Sequence, residues 1–147
     1  MKKERILSLL ALAVVVMLGT FVASCGGDDD NGGSDVTAQQ LVGKWIETKQ
    51  VVNDNGEKDE ENYSGSSRYI ILKESGQGLI SPYDLFEAQI CRHSSSYEWS
   101  VSKGKLTIND DGKTTVFTIS GYSDNYLELT WKDDGITEIT SFKRAVE

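Results

Sequence analysis

The sequence predicts an all-β protein, an antiparallel up-and-down meander that closes into a small barrel of about eight strands after a short N-terminal helical turn. Three observations lead there. Beyond Asp35 no segment sustains an apolar period of 3.6 residues. Short runs of alternating apolar and polar residues recur instead at a spacing of roughly ten residues. Tight-turn pairs such as Asp111-Gly112 and Asp134-Gly135 stand between them, where Asp-Gly supplies the positive φ that two-residue hairpins need.

Thr37-Ala38-Gln39-Gln40 has the form of a capping box and opens a single helical turn through Leu41-Val42, ended by Gly43. The first strand runs from Lys44 to Asn53. The acidic stretch from Asp54 to Gly65 reads as a solvated loop. Arg68 to Glu74 is a second strand, closed by Ser75-Gly76-Gln77-Gly78. Leu79 to Ile90 is ambiguous, because Pro82 removes a backbone donor and suits an edge, a bulge or an irregular loop. Ser96 to Ser102 alternates, with Tyr97, Trp99 and Val101 on one face. Lys103-Gly104 turns into Lys105–Asn109, which points Leu106 and Ile108 inward. Lys113–Ser120 follows, then a turn at Ser123-Asp124-Asn125. Tyr126–Lys132 sets Leu127, Leu129 and Trp131 on one face, and Ile136–Arg144 is the last strand. The clear connections are short, so sequence neighbours should pair, and such a meander removes its open edges by closing on itself.

Leu41-Val42-Gly43-Lys44-Trp45 resembles the Gly-x-Trp motif that opens the first strand of lipocalins, and Ser141-Phe142-Lys143-Arg144 resembles their final strand. Between them, Tyr97-Glu98-Trp99, Gly104 to Ile108 and Tyr126 to Leu129 follow the rhythm of the lipocalin-like lipoprotein domains of Bacteroidetes. The resemblance covers residues 37–145. It implies a lipocalin-like barrel in which Gly43, Trp45 and Arg144 form a structural signature, with the arginine packed across the tryptophan at the closed end. It also implies a binding module for a small hydrophobic ligand, a glycan or a protein partner. The barrel region is short, about 110 residues, and an eight-stranded interior holds side chains or one small ligand. Trp45, Trp99, Trp131, Leu106, Leu127 and Leu129 are candidates to fill it. The alternative is therefore a structural or accessory interaction protein with a filled barrel, and a hydrolase ranks below both.

The N-terminal segment has its own logic. Met-Lys-Lys-Glu-Arg is a positive start, followed by an 18-residue run from Ile6 to Ala23 without a charge. That pattern belongs to a secretory signal peptide, and the competing reading, a permanent span, needs about 20 apolar residues. Val22-Ala23-Ser24-Cys25 resembles the lipobox of bacterial lipoproteins, which implies lipid attachment at Cys25 and removal of residues 1–24. Residues 25–35 then form a flexible acidic tether and residues 36–147 the barrel domain. Gly26 to Asp35 reaches at most about 35 Å when extended. Asp28, Asp29 and Asp30 resemble the acidic export signal of surface-exposed lipoproteins in Bacteroidetes, with a plain solvated spacer as the alternative. The expected location is the outer membrane, facing the cell surface, or facing the periplasm if the spacer reading holds.

Without residues 1–24 the chain keeps 12 basic and 22 acidic side chains. This balance excludes nucleic acid, which requires a basic face, and docking of the domain surface on anionic lipid. The membrane is a partner through the lipid anchor alone. If Cys25 carries lipid, Cys91 has no disulfide partner, and it reads as a packing residue; His93 two positions on lacks a third orienting group for a nucleophile. No phosphate-cradling glycine loop, His-Glu-x-x-His or Cys-x-x-Cys occurs. One histidine does not make a typical zinc site, and the carboxylates at Asp59-Glu60-Glu61, Asp110-Asp111 and Asp133-Asp134 fall in turns or loops. The sequence therefore predicts no enzyme, no metal and no cofactor.

Overall fold

A computed structural model describes residues 35–81 and 96–146. The capping-box segment forms helix α1 (Ala38–Leu41). Gln40 Oε1 accepts from the Thr37 backbone N–H at 2.8 Å, which fixes the entry of this single turn. Nine strands follow among the described residues: β1 (Gly43–Asp54), β2 (Glu57–Asn62), β3 (Tyr69–Leu72), β4 (Gln77–Ile80), β5 (Ser96–Ser102), β6 (Lys105–Asp110), β7 (Lys113–Ser123), β8 (Tyr126–Asp133) and β9 (Ile136–Arg144).

Neighbours pair antiparallel from β3 to β9, and β9 returns to β1, so that eight strands close a barrel. The ninth, β2, is the departure from the sequence reading. Residues 57–62 are no loop: they pair with Lys49–Asp54, while β3 takes Gly43–Ile46 on the same edge of β1. The cause is local. Asn55 and Gly56 both adopt positive φ (50° and 96°), a mirror-image turn that folds the chain straight back. Lys103-Gly104, Asp111-Gly112 and Asp134-Gly135 repeat that geometry in the other hairpins. β2 is exposed along its whole length, because its residues are charged or polar on both faces.

The core is a column of inward side chains. Trp45, Ile70, Leu72, Tyr97, Trp99, Leu106, Ile108, Phe117, Ile119, Leu127, Leu129 and Phe142 are buried, as the alternation of their strands requires. Helix α1 lowers Leu41 onto one end of the column. Trp131 packs at its margin, only partly buried. The turns at 55–56, 111–112 and 134–135 ring the opposite end.

Candidate functional site

The capped end is built from the signature residues. Trp45 is fully buried, and its Nε1 donates to the Leu41 carbonyl at 2.8 Å. The Arg144 guanidinium lies 4.1 Å from the Trp45 ring centroid. It donates to the carbonyls of Gln40 (2.7 Å), Val42 (2.8 Å) and Asp124 (2.6 Å). Two of these are carbonyls at the C-terminal end of α1, which have no partner within the helix. Gly43 sits at φ +138°, and a Cβ there would come within 2.8 Å of Arg144 Nη1. The structure thus brings Gly43, Trp45 and Arg144 into one contact, and its task is to shut the barrel. Cys25, Asp28, Asp29 and Asp30, like Cys91 and His93, lie outside the described residues.

A second cluster stands further along the same wall and was not singled out in the sequence. A β-bulge between Glu47 and Lys49 shifts the register of β1 on β9. Glu47 therefore faces inward with Phe142, and Gln50 faces inward with Thr140, although their numbers differ in parity. Glu47, Glu138 and Thr140 are each about 1 % exposed. Burial of that kind demands partners. Arg68 Nε donates to Glu47 Oε2 at 2.6 Å, and its guanidinium stacks 4.1 Å from the Tyr63 ring centroid. The Tyr63 hydroxyl donates to Gln50 Oε1 (3.2 Å) and Glu61 Oε2 (2.5 Å). Glu138 Oε1 accepts from Gln50 Nε2 (3.1 Å) and Thr140 Oγ1 (2.9 Å). Among the described residues Glu47 Oε1 has no hydrogen-bond partner.

Burial pushes the Glu47 carboxyl up to about 7, against the pull of Arg68, and the nearby carboxylates of Glu138 and Glu61 push it the same way. Desolvation, helped by the bond to Glu61, also raises the Tyr63 phenol. Among the described residues no three His, Cys, Asp or Glu side chains are placed to hold a metal ion. The cluster offers a buried acceptor, a paired cation and a hydroxyl on the inner wall above an apolar floor. A signal for it existed: Glu47 shares parity with the inward Trp45, and Glu138 with the inward Phe142, so both carboxylates fall on core-facing positions. The bulge that adds Gln50 left no such mark.

The lipocalin-like domain family matches residues 41–129. No curated protein and no solved structure matches the chain significantly. The matched segment starts at the cap, includes Glu47, Gln50, Tyr63 and Arg68, and ends within β8, before Glu138, Thr140 and Arg144.

Proposed function

The chain belongs to the lipocalin-like domain family, and from that premise we propose that it is an outer-membrane lipoprotein whose barrel binds a small ligand without transforming it. The fold suggests a binding module. The observation that carries the reading is the polar cluster of Glu47, Arg68, Tyr63, Gln50, Glu138 and Thr140, held on the inner wall with one buried acceptor unmatched. Core-facing polar groups of this number serve stability poorly, since an apolar wall would avoid their desolvation. A few convergent polar groups over an apolar floor are what small-molecule sites use to orient a ligand. The lipid at Cys25 supplies the anchor and the Asp28–Asp30 run the surface address.

Native mass spectrometry of the lipidated protein, extracted gently from cell envelopes, tests this reading. A bound small-molecule mass that disappears on denaturation is the expected result. A protein that carries no such mass, and whose melting temperature no compound in a broad metabolite set shifts, ends it. The accessory reading, a filled barrel acting through its outer surface, would then stand, favoured by the buried apolar cluster that includes Leu41, Leu106 and Phe117.

A further inference from the structure

We infer that Glu47 Oε1 anchors an ammonium group, so that the barrel takes a small amine with a short apolar body. The inference rests on the proposed binding role and narrows it. A carboxylate oxygen buried without a hydrogen-bond partner is costly, and the cost is relieved when a donor reaches it. The geometry selects the donor. Arg68 already occupies Glu47 Oε2 and stacks on Tyr63, so the basic side chain of this cluster is engaged. The carboxylates of Glu61 and Glu138 stand close enough to oppose ionisation of Glu47. An anionic head would meet three carboxylates here, a neutral hydroxyl would satisfy Oε1 alone, and an ammonium satisfies Oε1 and the surrounding charge together.

The exposure of the side chains marks a route. Glu61 is exposed, Tyr63 and Arg68 are half-buried, and Glu47 is buried. A head group following that gradient enters from the end remote from the Trp45–Arg144 cap. Trp45 lies below Glu47 toward the cap and Phe142 stands beside it, so the body of the ligand must trail outward. Val52 and Trp131 both pair with Glu138 across β1–β9 and β8–β9, which sets them on the inner face one step beyond Thr140. They give the trailing body an apolar wall.

The test is calorimetric titration of the full-length protein in detergent, with empty micelles as the blank, using hexylamine, 1-hexanol and hexanoate at pH 7. Hexylamine should bind about tenfold or more tightly than hexanol, the margin of one charge-assisted hydrogen bond, and Glu47→Gln should remove that margin. Repeating the hexylamine titration in buffers of different ionisation enthalpy adds a readout on the wild type alone. A group with a pKa of about 7 should release about half a proton as the ammonium fixes it ionised. Hexanol or hexanoate binding as tightly as hexylamine would overturn the ammonium assignment and leave the binding role standing. So would hexylamine binding unchanged in a folded Glu47→Gln. Failure of all three probes, together with no bound ligand in native mass spectrometry, would remove both.

Discussion

At the scale of single residues, two side chains define opposite uses of burial. Glu47 is destabilised by its position, and the sign of that effect is testable. Its carboxyl is raised from 4.5 to about 7, so the folded chain holds the proton more tightly than the unfolded chain. Stability therefore falls as pH rises from about 4.5 to about 7, and the loss is complete above that window. A shift of this size corresponds to about 3 kcal/mol. Urea midpoints at pH 5 and pH 8 should show the wild type losing ground to Glu47→Gln on going to the higher pH. Parallel pH profiles for the two proteins would show that Glu47 is solvated. Trp45 and Arg144 do the reverse. Trp45→Ala should cost about 3–5 kcal/mol as a core truncation. Arg144→Ala should cost about 1–3 kcal/mol, because three carbonyls lose a donor and the Trp45 ring loses its cation. Since the two residues touch, the double variant should be less destabilised than the sum of the singles. Strict additivity would mean that the stacking contributes nothing.

At the scale of elements, β4 depends on one missing side chain. A Cβ built on Gly78 would collide with the ring of Tyr97, its direct partner on β5. The Tyr97 hydroxyl in turn donates to the carbonyls of Ile71 (3.2 Å) and Leu79 (3.3 Å). Gly78→Ala should expel the ring and cost about 1–3 kcal/mol in chemical melts. In a Tyr97→Leu background the same change should cost much less; an equal cost in both would place the penalty in the backbone. The sequence reading placed Gly78 in a turn, because a glycine between Gln77 and Leu79 carries no alternation to read, and the ring that covers it comes from another strand. Where each strand holds its own pattern, as in Tyr97-Glu98-Trp99 or Leu127-Glu128-Leu129, elements and inward faces were legible. β2 was missed although Asn55-Gly56 is a strong hairpin pair, because Glu57-Lys58-Asp59-Glu60-Glu61 lacks the apolar face by which strands are recognised. The cap was legible through Gly43, Trp45 and Arg144. The Glu47 cluster was only half so, since a bulge cannot be counted from residue parity.

At the scale of the whole molecule, the barrel has two unlike ends, and the chain enters at one of them. Asp35 leads into α1 at the end sealed by Trp45 and Arg144, while Glu61 and Tyr63 lie toward the other. Cys25→Ala should abolish labelling by a palmitate analogue and leave an uncleaved or mislocalised precursor, whereas equal labelling of variant and wild type would remove the lipoprotein reading. The Asp28–Asp30 run poses a separate question, because a chain of glycine and aspartate is a serviceable spacer whether or not any export machinery reads it. Replacing all three with alanine leaves the length of the tether unchanged and removes three negative charges, so a spacer would keep its reach and an address would be lost. The triple variant should therefore stay in the outer-membrane fraction, still lipidated, and become protected when intact cells are shaved with protease. Digestion at the wild-type rate would show that the aspartates only hold the tether in solvent. The location of the barrel would then have to be set by something other than this run.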